Sequence, residues 1–398
     1  MNSKPHSRLS FAALLFPAAL VIFEFATYIG NDMILPGMPA VVREFGASEH
    51  LAPSGMSAYL AGGMMLQWLL GPLSDRIGRR PVLLTGVLLF IASCLAILVS
   101  NSMTSFLILR VIQGFGLCFL AAVGYAAIQE AFDEVTAIRV TALMANVALI
   151  SPLIGPLAGA LVIEYAPWRW VFVIMAAVAA IGLAGLWHTM PETSPRLKTP
   201  LGIAMLWQTY RHIFGNPRFL AGTLALAMAG LPLLVWLGQS PVILMNDRHL
   251  SALDFGLWQI PVFGGLIAGN LLLAWLVSRV PVARLIRLAC MPLLAGLAFA
   301  LLAGLVASEN TALLVAGLSI YALGCGIASA GLYRLVLFAS DASKGAVSAA
   351  LGMLTMLIYA LGIELARHVH ATAGLTGFTS LMLLAGMLCP LLLRRFFA

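Results

Sequence analysis

"GPLSDRIGRRP", residues 71–81, puts one aspartate and three arginines into eleven residues of a chain that is only 9% charged. It lies between two apolar runs, 52–72 and 81–100, each close to the 20 or so apolar residues that a spanning helix needs. Arg76, Arg79 and Arg80 suit an anchor at a membrane surface. A basic loop that only fixed topology would explain the arginines, but not the Gly-x-x-x-Asp spacing or Gly78. Gly71 reads as a helix end where another backbone comes close. Asp75 reads as an acceptor facing a helix N-terminus, whose dipole favours a negative group. The stretch is expected to be a structured turn with a conformational role, carried by Gly71, Asp75, Arg76, Gly78 and Arg79.

The rest of the chain agrees with a membrane setting. It has 398 residues and is 62% hydrophobic, whereas soluble domains carry roughly 25% charged residues. Twelve apolar runs can be counted, at about 11–36, 52–72, 81–100, 103–128, 138–163, 168–189, 218–244, 253–277, 284–306, 311–337, 346–368 and 374–393. The expected fold is therefore all-α and integral to a membrane, with twelve transmembrane helices. The longest connection, 190–217, contains "PETSPRLKTP" and divides the runs six and six. It reads as a linker between an N-terminal half, 1–189, and a C-terminal half, 218–398. With the N-terminus in the cytoplasm, seventeen of the 22 basic residues fall inside, Lys4, Arg8, Arg139, Arg196 and Lys198 among them. Arg43, Arg169, Arg248 and Arg367 fall outside, and Arg110 lies within the membrane. That bias places both termini in the cytoplasm. It also accounts for the net charge of +7 without a nucleic-acid partner. The first run is too long for a signal-peptide core and reads as a retained helix. Five scattered cysteines lack zinc or redox spacing and read as packing residues.

The halves show a faint internal repeat. "AWLVSRVPVAR" (274–284) follows the eighth run as "GPLSDRIGRRP" follows the second, matching Leu73 with Leu276 and Arg76 with Arg279, while Asp75 becomes Ser278. Two related six-helix halves with a site between them form a transporter architecture.

"FEFATYIGNDMILPG" (23–37) holds two acids inside the first run, Glu24 and Asp32. Acids inside a membrane are costly and functional by default. Eight helical residues span about 12 Å and leave a rotation of about 80°, so the two share a region at different depths. Arg110, in the fourth run, lies near Asp32 in depth and well away from Glu24. Pairing with Asp32 is the cheapest outcome for a buried arginine, which costs roughly 3 kcal/mol or more unpaired. Glu24, among Ile22, Phe23 and Phe25, has no obvious cation and could hold a proton or the positive end of a lipophilic cation.

At this point a resemblance appears. "GPLSDRIGRRP", "RVIQGFG" (110–116) and "ALISPLIGPLAG" (148–159) resemble the loop, fourth-helix and fifth-helix motifs of the major facilitator superfamily. The last of these is found in its proton-coupled drug exporters. The resemblance implies two pseudo-symmetric six-helix bundles, a monomer in the bacterial inner (cytoplasmic) membrane, and exchange of chemically diverse lipophilic drugs for protons. No cofactor beyond the proton gradient is implied. It makes neighbours of the helices carrying Asp32 and Arg110. It also implies proton coupling by Asp32, Glu24 and Arg110, and a pocket containing Tyr28, Asn31, Asp32, Arg110, Gln113, Met144 and Ala148.

Helical spacing groups the same region into stripes: Glu24, Tyr28, Asn31 and Leu35; Arg110, Gln113, Gly114, Leu117 and Ala121; Met144, Ala148 and Gly155. Leu234, Trp236, Leu237, Phe263, Met356 and Tyr359 are candidate apolar walls from the second half. Ordinary helix packing explains any one of these equally well. Pro152, Gly155, Pro156 and Gly159 allow a close helix contact; the resemblance makes it a seal against proton leak. Glu130 reads as a solvated helix end, and Glu364 as an interfacial acid beside Arg367. His368 and His370 lack a third metal ligand. A specific metabolite transporter of the same fold is the alternative reading. An intramembrane enzyme is a remote one, since no nucleophile–base or metal motif is present.

Overall fold

The computed structural model describes residues 11–194 and 202–397. Lys4, Arg8, Arg196 and Lys198 lie outside the described residues, as do the side chains of Arg139 and Ala148. The helices are α1 (Phe11–Asp32), α2 (Met38–Glu44), α3 (Ser54–Met65), α4 (Gln67–Ile77), α5 (Arg79–Leu98), α6 (Met103–Phe119) and α7 (Tyr125–Ala131). They continue as α8 (Glu134–Tyr165), α9 (Arg169–Thr189), α10 (Ile203–Gly215), α11 (Pro217–Pro241), α12 (Ala252–Leu276), α13 (Val282–Val306), α14 (Thr311–Leu337) and α15 (Lys344–Phe397). Among the described residues, nine helical segments are by themselves long and apolar enough to span a membrane. One of these, α15, turns back at Gly374, whose φ of 61° suits only a residue without a Cβ. Its two arms make two crossings. The end-to-end pair α3–α4 and the long α8 complete the twelve expected from hydropathy.

Successive crossings alternate between two ends. The near end holds Phe11 and Phe397; the far end holds the connections 33–53, 99–102, 166–168, 248–251 and 307–310. Two apolar cores form. One gathers side chains from Phe16 to Met190, with Val242 added. The other gathers side chains from Ile213 to Phe396, together with Leu35, Met56 and Leu60. The connection between them is partly ordered, because α10 occupies 203–215.

The internal repeat is visible as geometry. A Cβ at Gly62 or Gly114 would lie 1.9 or 2.0 Å from a backbone oxygen of the other helix, so α3 and α6 cross at backbone contact. In the second core, Gly269 and Gly326 make the same crossing between α12 and α14, with Cβ-to-oxygen distances of 2.2 and 2.3 Å. These are the second and fourth crossings of each bundle. The fold is thus two pseudo-symmetric six-helix bundles, and the small residues that build it obey the packing rule for helices in lipid.

The bundles meet most closely toward the far end. Gly256 of α12 lies against Leu157 and Ala160 of α8, and Gly238 of α11 against Ile363 and Met56. Ser57 donates to Glu364, which also binds Arg367 at 2.8 Å, as its place in the sequence suggested. Asn246 reaches Glu49 at 3.1 Å. Toward the near end Gln129 and Tyr333 are exposed.

The opening motif differs in part from expectation. Gly71 does not end a helix or meet another backbone: it sits inside α4 with open space around its Cβ position. Its carbonyl accepts from Ser74 and Arg79 instead. Asp75 pairs with the guanidinium of Arg79, the first residue of α5, rather than with the backbone N–H groups of a helix N-terminus. Arg79 also grips Glu130 through two bonds of 2.8 and 3.2 Å, so Glu130 is an ion-pair partner and not a free helix end. Gly78 is the true special position, with φ of 114° between α4 and α5. Together these contacts tie α4, α5 and α7 into one piece.

Replacing Gly114 or Gly269 with Val should force its crossing apart. A loss of about 3 kcal/mol is expected from overpacking, seen as a lower thermal midpoint of the purified protein. Gly264→Ala, where a Cβ meets nothing within 4 Å, should leave the midpoint unchanged.

Candidate functional site

Arg110 is fully buried in α6. Its Nε donates to the Gly55 carbonyl of α3 at 3.1 Å, and Nη1 donates to the Gly30 carbonyl of α1 at 2.9 Å and to Gln113 at 2.6 Å. The guanidinium lies over the Tyr59 ring, 4.6 Å from its centroid. Tyr59 in turn donates to the Thr27 carbonyl of α1 at 2.6 Å. One cation therefore ties three helices together, and among the described residues Nη2 is left without a hydrogen-bond partner.

The expected contact pair with Asp32 does not form. Arg110 and Asp32 interact electrostatically, but no nitrogen–oxygen distance falls within ion-pair range, and Asp32 accepts from its neighbour Asn31 at 2.8 Å. Backbone carbonyls compete for the guanidinium, and α1 presents one at Gly30 that Arg110 reaches at 2.9 Å. Asp32 is 3% exposed. A Cβ at Gly155 would lie 2.7 Å from the Asp32 Cβ, and one at Gly159 would lie 1.9 Å from the Met33 carbonyl oxygen. The proline- and glycine-bearing turn of α8 thus packs directly on the acid-bearing end of α1, while Leu157 and Ala160 on its other side meet α12.

Glu24 is 0% exposed. One carboxylate oxygen accepts from the Tyr125 hydroxyl at 2.7 Å, and the other has no partner. Tyr28 is half-buried beside this pair, and Tyr333 of α14 lies within electrostatic range of Tyr28 and Tyr125. Tyr28 and Tyr125 of the first bundle thus share the neighbourhood of Glu24, with Tyr333 of the second bundle near both. Tyr333 hydrogen-bonds Ser348 at 3.0 Å.

Tyr125 and Tyr333 were not among the expected site residues. The reason for Tyr125 is local. The stripe on α6 continues through Leu117, which lies near Gly63 and Met356, but a π-helical turn at Leu120–Gly124 then shifts the register. Ala121 is exposed, and Tyr125 faces Glu24. Such turns are common at functional sites. A lone tyrosine following a run of small residues, "LAAVGY", was the available signal.

The other expected residues separate into groups. Gln113 faces Cys94 and Met175 and supports Arg110 from inside the first core. Met144 is buried in that core, and Leu35 in the other. Trp236, Leu237 and Phe263 are buried in the second core, and Trp236 donates to Gln259 at 3.0 Å. Leu234, Met356 and Tyr359 are half-buried. Met356 contacts Gln67 of the opposite bundle at 3.5 Å, and the Tyr359 hydroxyl lies against Gly230. Glu24, Asp32 and Arg110 all belong to the first bundle, and the buried polar groups described in the second carry no acid, lysine or arginine.

Two pseudo-symmetric six-helix bundles with acids buried inside a membrane-spanning helix have the architecture of a secondary transporter. The chain belongs to the Major Facilitator Superfamily, which it matches over residues 20–363. It is 54% identical to the Multidrug transporter MdfA of Yersinia pestis bv. Antiqua (strain Angola), covering 96% of this chain and 94% of that protein. It is 53% identical to the protein of the same name from Edwardsiella ictaluri (strain 93-146), covering 98% and 95%. Its fold resembles a D-xylose-proton symporter (TM-score 0.77, 16% identity, covering 96% of this chain and 97% of that one). It also resembles the human organic anion transporter MFSD10 (TETRAN) (TM-score 0.71, 17% identity, 95% and 99% covered).

Lysine offers a point charge in place of a planar fork and cannot reach Gly30, Gly55 and Gln113 together. Arg110→Lys should therefore lower stability by about 3 kcal/mol, the scale of a lost charged hydrogen bond plus an unsatisfied acceptor. Thermal unfolding of the purified protein reads this directly. Gln113→Glu, which leaves an acceptor in place, should unfold within a few degrees of the parent.

Proposed function

We propose that this protein is a secondary active multidrug exporter that exchanges lipophilic drugs, cationic, neutral or zwitterionic, for protons by alternating access. The observation that carries this reading is that Glu24 and Asp32 are both buried and, among the described residues, neither makes a contact ion pair. A buried carboxylate without a cation is stable when it holds a proton, or when a guest brings the positive charge. Proton and drug then compete for one region, and such competition is the condition for exchange. The close relatives named multidrug transporters support the same reading.

The roles divide as follows. Glu24, with one free oxygen and the tyrosines beside it, meets the substrate. Asp32, beside the α8 contact, takes the proton whose arrival or loss alters the fit of α1 against α8. Arg110 fixes α1 to α3 and α6, and its free Nη2 responds to the charge on Asp32. Tyr28, Asn31, Leu117, Leu234, Met356 and Tyr359 line the substrate region, where a flexible thioether and aromatic rings suit guests of varied shape. Met144, Trp236, Leu237 and Phe263 join the wall as the bundles move. The side chain of Ala148, outside the described residues, belongs to the same group by resemblance. The units 1–189 and 218–398 rock about the 190–217 connection, and the dry Gly155–Gly159 contact prevents proton leak. The network of Asp75, Arg79 and Glu130, with Gly71, Arg76 and Gly78 around it, keeps the near end of the first unit rigid. The protein works as a monomer in the bacterial inner membrane, with the near end and both termini in the cytoplasm. It uses the proton gradient and no other cofactor.

Everted membrane vesicles holding a proton gradient test this. Adding lipophilic cations should dissipate the gradient in vesicles with the parent protein. Glu24→Gln should reduce the response to cations more than to neutral drugs. Asp32→Asn should abolish proton release for both. No proton movement with a broad drug panel, or full coupling in both variants, would overturn the reading. A response to one metabolite alone would favour a specific transporter of the same fold.

A further inference from the structure

A second cavity lies well away from the acids, at the near end of the second bundle. It has a volume of about 550 Å³ and is lined by Arg287 and Cys290 of α13 and by Pro390, Leu393, Arg394 and Phe397 of α15. Two cations thus face an otherwise apolar hollow. The Arg287 guanidinium lies 4.9 Å from the centre of the Phe397 ring, a contact that positions its charge without neutralising it. Among the described residues neither arginine is in an ion pair. No acid occurs anywhere in α13 or in the second arm of α15. The surroundings are also informative. Leu288, Met291, Leu388 and Leu391 flank the hollow on the same two helices, and each is 46–70% exposed. Large apolar side chains this exposed on membrane-spanning helices face lipid.

We propose that this hollow binds an anionic phospholipid. The phosphate sits between Arg287 and Arg394, and an acyl chain runs along Leu288, Met291 and Leu391 toward the membrane interior. The cations lie near the helix ends, at headgroup depth, and the apolar surface begins beside them; a free anion would use only the first of these features. Basic pockets between membrane helices select anionic headgroups on this principle. The lipid would brace the closing turns of α13 and α15 without entering the transport cavity.

Native mass spectrometry of the purified full-length protein tests the assignment. The probes are phosphatidylglycerol, phosphatidylcholine of the same chain length, and inorganic phosphate. Phosphatidylglycerol should be retained in preference to phosphatidylcholine. The double variant Arg287→Gln/Arg394→Gln should weaken that retention by about thirtyfold, roughly fivefold per arginine. Arg279→Gln, at the same end but outside the hollow, should not. Arg287→Lys, which keeps the charge, should retain most of the preference and serves if the double variant does not fold. Equal retention of the two lipids would overturn the proposal. So would equal loss in Arg279→Gln, or retention of inorganic phosphate as strong as that of the lipid.

Discussion

A guanidinium buried in a membrane protein must find acceptors inside the protein, and the first bundle is organised around that demand. Arg110 takes its acceptors from the backbone of α1 and α3 and from Gln113 on its own helix. A helical carbonyl keeps a second lone pair, and a side chain of another helix reaches it only where the two helices come close. That closeness exists because Gly62 and Gly114 remove the side chains between α3 and α6. Tyr59 then serves twice, with its ring under the cation and its hydroxyl on the Thr27 carbonyl. Small residues, aromatic platform and cation form one construction, and α1 is held by it on the side opposite α8.

The acids inherit their character from this arrangement. The guanidinium is largely spent on neutral acceptors, so Asp32 lies in its field without being locked to it. Glu24 lies two turns away with a single tyrosine hydroxyl. Neither carboxylate is therefore held by a strong contact ion pair among the described residues, and the proposed exchange rests on that freedom. The second bundle repeats the helix crossing through Gly269 and Gly326 but, among the described residues, carries no buried counterpart of Glu24, Asp32 or Arg110. Pseudo-symmetry supplies the hinge-like architecture, and the chemistry stays on one side of it. A mostly apolar opposing wall suits guests that are recognised by shape and lipophilicity.

Much of the candidate site could be read in the sequence because charge is rare in a membrane. Glu24, Asp32 and Arg110 stand out in apolar runs, and Arg79 and Gly78 stand out in a short basic turn. What helical periodicity could not supply was phase after an irregularity. The π-helical turn at Leu120–Gly124 carries no charge or proline to announce it, yet it comes just before Tyr125, which faces Glu24. Depth arithmetic likewise placed Asp32 and Arg110 at one level but could not show that the Gly30 carbonyl would reach the guanidinium first. Glu130 looked like a solvated terminus because its partner, Arg79, is 51 residues distant in the chain.

The sequence by itself determined the number of crossings, the segregation of basic residues, the placement of two acids on the first helix and the glycines that permit close crossings. These follow from the cost of exposing polar groups to lipid, a cost that acts residue by residue. The tertiary structure decided which groups share the site. Hydrogen-bond partners inside a bundle are chosen by distances of a few tenths of an ångström between helices far apart in sequence. Only the packed chain sets those distances, and so only it could hand the Arg110 guanidinium to backbone carbonyls and leave Asp32 and Glu24 available.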